Sequence, residues 1–160
     1  MKTVLAVLLA AAVAAPAAAA EVKAGDLVIK DAVVRAVPAG VPNTAGYMTI
    51  VNSGSKPDRL ESASCACAGR VEAHLSHVMN GQAMMMPAGP VAIPPGGRVS
   101  FSPGGYHLMV TGLKAVLKDG VPQEMILKFQ HAGTVKVPFL AEARIQTQPE
   151  APMGGMSMRH

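Results

Sequence analysis

From Leu27 onward the chain is a series of short apolar and partly alternating runs, cut by Pro and Gly. Leu27 to Val37 is rich in β-branched residues, and Tyr47 to Asn52 stops at the Ser53-Gly54 turn signal. Arg59–Ser62, Arg70–Met79, Gln82–Met86, Arg98–Ser102, His107–Leu113, Glu124–Gln130 and Thr134–Ala141 read as further strands. Pro95-Gly96-Gly97 and Pro103-Gly104-Gly105 are turn signals that leave only short runs between them. No segment beyond residue 20 holds a convincing 3.6-residue apolar period, so helix is expected to be minor. Strands of this length and spacing predict an all-β sandwich or barrel.

The first twenty residues do not belong to that pattern. Met1-Lys2 followed by an Ala/Leu/Val run to Ala18-Ala19-Ala20 reads as a secretory signal over residues 1–20, cut before Glu21. Its apolar run is short for a membrane span, and no other stretch approaches that length. No Cys follows the cut, so no lipid anchor is expected. The reading is an exported, periplasmic protein without stable membrane insertion, with one folded domain over residues 21–146. From Thr147 Pro, Gly, Gln and Met take over, so residues 147–160 are expected to form a flexible tail carrying Met153, Met156, Met158 and His160.

Composition narrows the function by exclusion. Half of the 160 residues are apolar and only 15% charged, which excludes a wholly disordered chain. The formal charge of +4 falls to +3 when the leader takes Lys2 away, and its Lys and Arg are scattered. With two Tyr, three Phe and no Trp, the chain offers no base-stacking surface, so nucleic acid is not an expected partner. Methionine is the unusual count, at eleven.

Strand parity shows what the Met and His residues could do. Val71, Ala73, Leu75, His77 and Met79 share one face of their strand, and Glu72, His74, Ser76 and Val78 the other, more polar one. If Asn80-Gly81 forms a two-residue hairpin turn, Met79 lies opposite Gln82 and Ser76 opposite Met85, making His74 and Met85 diagonal neighbours. Near the second His, Tyr106, Leu108 and Val110 suit the core, leaving His107 and Met109 on the opposite face. Two thioethers and two neutral imidazoles, with no carboxylate among them, suit a soft monovalent ion, Cu(I), better than Zn(II), Mg(II) or Ca(II). A blue electron-transfer copper centre needs a Cys thiolate, and neither Cys stands near His107. A catalytic metal site needs an open position and acid–base groups, and none is evident, so an enzyme is not expected.

Two further groups compete for attention. His77, Met79 and Met84 form a rival set, expected on the apolar face, where adaptable Met packing is the ordinary explanation. Cys65 and Cys67 in Ser-Cys-Ala-Cys-Ala close only a very small ring if oxidised; they read as half-buried loop residues or as an auxiliary thiolate or redox site. His131 reads as an ordinary strand-end residue.

The spacing His74-x10-Met85-x21-His107-x-Met109 resembles the periplasmic copper chaperone family PCu(A)C, whose motif is H-x10-M-x21-H-x-M. Pro42-Asn43-Thr44-Ala45-Gly46-Tyr47-Met48, Asp58-Arg59-Leu60, Gly69-Arg70-Val71-Glu72, Pro95-Gly96-Gly97 and Pro103-Gly104-Gly105-Tyr106-His107 are similarly placed. The resemblance runs from Gly25 to Ala143. Two positions depart from the pattern: Leu75 stands where many members have Glu, and Ala83 where many have a further Met. Met84 and Met86 flank Met85, so the register within this triplet rests on the spacing alone.

The resemblance implies a cupredoxin-like Greek-key β-sandwich or barrel with one exposed Cu(I) site at His74, Met85, His107 and Met109. It implies a monomeric metallochaperone that delivers copper to the Cu(A)-bearing subunit of cytochrome c oxidase, alongside a Sco-type thiol protein. A copper buffer without a dedicated acceptor is the alternative. A thiol redox enzyme built on Cys65 and Cys67 is disfavoured, because a CxxC motif in a βαβ context is absent. The tail is expected to recruit a second copper.

Overall fold

Every strand read from the sequence forms, and two three-residue strands join them. The computed structural model describes residues 20–145. In chain order the strands are β1 (Val22–Ala24), β2 (Leu27–Arg35), β3 (Asn43–Asn52), β4 (Asp58–Cys65), β5 (Ala68–Met79), β6 (Gln82–Pro87), β7 (Val91–Ile93), β8 (Arg98–Phe101), β9 (Tyr106–Leu113), β10 (Pro122–Phe129) and β11 (Gly133–Glu142). Among the described residues there is no helix. β1 and β7 are too short to carry an alternating signature; each is held by the longer strand beside it, β2 and β4 respectively.

The sheet closes on itself. Its order runs β5-β9-β8-β3-β2-β11-β10-β4, and a pairing of Ala63 with Val71 brings β4 back to β5. These eight strands form the closed barrel, with β6 hung on β5 and β7 on β4. Most pairs are antiparallel; β11 with β2 and β8 with β9 are parallel. Alternation along the strands then does what the sequence required of it. β2 buries Leu27, Ile29, Ala32 and Val34, and β11 buries Val137, Phe139 and Ala141. The shift in spacing within β2 is a bulge between Lys30 and Val33, where Asp31 takes a positive φ of 54° that a short polar side chain tolerates.

One buried carboxylate ties the start of β4 to the turn between β10 and β11. Asp58 accepts hydrogen bonds from the backbone N–H groups of Arg59 (2.7 Å), His131 (3.0 Å) and Ala132 (2.9 Å). Burial pushes the Asp58 carboxyl up, but these three bonds and the His131 ring outweigh it, so its pKa lies below the usual carboxylate value. A carboxyl depressed in the folded state stabilises above its unfolded pKa, and that stabilisation is lost as pH falls through the folded one. Asp58→Ala is therefore expected to cost about 1–3 kcal/mol at neutral pH and to flatten the acid limb of stability. Urea denaturation of both forms across the acidic range measures this.

Candidate metal centre

The register between β5 and β9 sets His74 directly opposite His107, and Glu72 opposite Met109. Opposed residues project to the same face, so all four side chains share the outer face of the barrel. On the other edge of β5, the two-residue turn forms as the sequence predicts. Asn80 and Gly81 both have positive φ (52° and 75°), the requirement of a type I′ hairpin turn. Met79 pairs with Gln82, Ser76 with Met85 and His74 with Pro87, so Met85 is one diagonal step from His74 on that same face. Met84 and Met86 pair with His77 and Leu75 and point to the other side.

The two imidazoles lie with ring centroids 5.9 Å apart and planes inclined at 57°. His107 Nδ1 is 3.3 Å from the carbonyl oxygen of Gly105. A carbonyl can only accept, so Nδ1 carries the proton and Nε2 keeps its lone pair. That Nε2 is buried without a hydrogen-bond partner, as are both ring nitrogens of His74. Unpartnered buried polar atoms cost about 1–3 kcal/mol each, a cost that a bound ion would remove. The donor set fits that use: two nitrogens with free lone pairs beside two thioethers. Among the described residues no group of three or more His, Cys, Asp and Glu could hold a metal.

Accessibility differs from the sequence expectation. His107 is only 5% exposed, whereas Met85 is 56% exposed. Parity does put His107 on the outer face, but the His74 ring lies against it and the turn before β9 bonds its Nδ1. The centre is thus open on the Met85 side and closed at His107. A carboxylate stands beside the four-residue set without belonging to it. Glu72 Oε2 is 3.7 Å from His74 Nε2, and its Oε1 is 3.2 Å from Arg70 Nε. Glu72 precedes His74 by two residues on β5, on the face where strand parity places both; what parity did not show is how near its carboxylate comes to the imidazole.

The remaining sequence candidates fall elsewhere. Cys65 and Cys67 form a disulfide at the β4–β5 turn, so neither offers a thiolate. His131 sits in the β10–β11 turn and takes part through its backbone. His77, Met79 and Met84 share a face of the hairpin, but it is not the apolar interior expected: Met79 is 52% and Met84 43% exposed. The core-facing row of β5 starts at buried Val71 and runs past the end of the barrel. Met153, Met156, Met158 and His160 lie outside the described residues.

Comparison with known proteins agrees with this architecture. The sequence profile of the LpqE-like family matches residues 27–141. No curated protein matches. Among solved structures, the copper-bound PCuAC domain from PmoF2 is 29% identical, with a TM-score of 0.68 over 78% of this chain and 99% of that one. The apo PCuAC domain from PmoF1 is 28% identical, with a TM-score of 0.69 over 78% and 100%. The solution structure of apo-DR1885 from Deinococcus radiodurans is 29% identical, with a TM-score of 0.60 over 92% and 99%. With the family profile spanning almost the whole barrel and the cupredoxin-like fold shared with these domains, the chain belongs to the LpqE-like family of PCuAC domains.

Proposed function

We propose that the protein is a periplasmic Cu(I) carrier that binds one ion through His74, Met85, His107 and Met109 and delivers it to the Cu(A) centre of cytochrome c oxidase. The observation that carries the reading is the set of buried ring nitrogens without hydrogen-bond partners, both of His74 and Nε2 of His107, on a face shared with Met85 and Met109. Copper-bound PCuAC domains among its structural neighbours support the choice of ion. All four ligands are neutral, and soft thioethers favour the monovalent state over Cu(II). Glu72 adds a negative charge beside a cationic cargo, and Arg70 holds that carboxylate in place.

The chain's residues divide the work of transfer. His107 and Met109, on a central strand, keep the ion anchored, while exposed Met85 on the edge hairpin is the ligand an incoming donor displaces first. Thiolates of an acceptor hold Cu(I) more strongly than thioethers and imidazoles, so transfer runs downhill. Residues 1–20 direct export and are removed, residues 21–146 form the carrier domain, and the tail at 147–160 recruits a second copper.

The test is transfer itself. Cu(I)-loaded protein mixed with the reduced, soluble Cu(A) domain, with Cu(II) supplied for the binuclear centre, is expected to generate Cu(A) optical absorption. Copper retained on the donor while a Sco-type protein alone fills the site would instead make this chain a buffer or a Sco donor.

A further inference from the structure

The hairpin β5–β6 carries a second set of soft ligands that the first centre does not use. His77 lies directly opposite Met84, Met86 is its diagonal neighbour across the ribbon, and Met79 follows two residues along the same strand. Opposed residues on one face have Cβ atoms about 4.5–5.5 Å apart, and diagonal neighbours are within reach of long side chains. These four side chains therefore line up on the face opposite His74 and Met85, with His77 and Met84 at the centre and Met79 and Met86 on either side.

They have no structural task that explains them. Met79, Met84 and Met86 are 52%, 43% and 43% exposed, and none belongs to the buried core. Of the eight large apolar side chains exposed among the described residues, five lie on this one hairpin. Such concentration marks an interaction or binding site rather than scattered surface residues. The surroundings are uniform in chemistry too: no Asp, Glu, Lys or Arg stands between Glu72 and Arg98. Neither a hard anionic ligand nor a competing cation is offered by this stretch. The type I′ turn at Asn80-Gly81 fixes the register, so the four donors are held on one face before any ion arrives.

We propose that the opposed pair His77 and Met84, flanked by Met79 and Met86, forms a second, solvent-open site for a soft monovalent cation on the reverse face of the β5–β6 hairpin. One imidazole with thioethers is a neutral, soft donor set of the same kind as the first centre. It has one nitrogen fewer and no carboxylate alongside, so it binds more weakly and fills second. Its ligands are independent of the first set, and it stands whether or not that set binds.

Full-length protein with 13C-labelled methionine methyls, assigned by single Met→Leu variants, is titrated with Ag(I) as a redox-inert probe. Shifts of Met85 and Met109 are expected first, followed by a separate step in Met84 and its neighbours Met79 and Met86. His77→Ala should weaken that second step at least ~10-fold and leave the first unchanged. Unmoved Met79, Met84 and Met86 at saturation would overturn the proposal, as would a second step insensitive to His77→Ala. If the second step appears while Met85 and Met109 stay still, the first centre fails and this one stands. Tail methionines report separately, so binding there cannot be mistaken for either site.

Discussion

Replacing Met109 with Leu is expected to weaken Cu(I) binding by about 100-fold or more while the barrel stays folded. Even residues that only support a metal's ligands change affinity by about 10–100-fold when mutated, so loss of a ligand should reach or exceed the top of that range. Leu nearly conserves the volume of Met, and such swaps cost less than about 1.5 kcal/mol. Met109 is half-buried on β9, between Glu72 on β5 and Ala45 on β3, so that small cost is spread over a well-supported position. Competition for Cu(I) against a chromophoric chelator gives the affinity, and urea denaturation gives the stability. Met85→Leu is a useful companion, because at 56% exposure it removes a sulfur with almost no packing change. Unchanged affinity in the Met109→Leu form would remove this residue from the centre.

The largest effect on stability is expected from Phe139→Ala, at about 3–5 kcal/mol. Phe139 is fully buried on β11, and its ring lies 3.5 Å from where a Cβ on Gly46 would stand. Leu108 Cβ is equally close to that point, and Gly46 pairs with Leu108 across β3 and β9. The Phe139 ring thus packs beneath β3 where that strand pairs with β9, the strand that carries His107 and Met109. Natural domains are stable by about 5–15 kcal/mol, so this one truncation removes a large part of the total. Leu108 stands between His107 and Met109, so the slack reaches the ligands, and copper affinity should fall as well. Denaturant midpoints for the two forms measure the first effect; a loss below about 1 kcal/mol would mean that the barrel relaxes around the gap.

What the sequence made legible was local. Alternation and turn chemistry located β2 to β6 and β8 to β11, and Asn80-Gly81 alone was enough to set Ser76 opposite Met85. The four-residue spacing then selected His74, Met85, His107 and Met109, and the register puts them on one face. Features that depend on distant segments were not legible. Pairing of His74 with His107 joins strands separated by β6, β7 and β8, and no local pattern encodes it. The burial of His107 follows from that pairing and from the Gly105 carbonyl. Parity correctly grouped His77 with Val71, yet it could not show where β5 leaves the barrel, so an exposed Met row read as core. Glu72 was visible by parity but was not joined to the ligand set until its carboxylate lay 3.7 Å from His74.

The most direct test of the central claim, that His74, Met85, His107 and Met109 hold Cu(I), is copper X-ray absorption on the protein loaded with a single equivalent. The spectrum should show a mixed shell, with imidazole multiple scattering and sulfur backscattering together, and the sulfur contribution should drop in the Met85→Leu and Met109→Leu forms. A shell of nitrogen and oxygen alone, or a sulfur contribution that neither substitution changes, would contradict it.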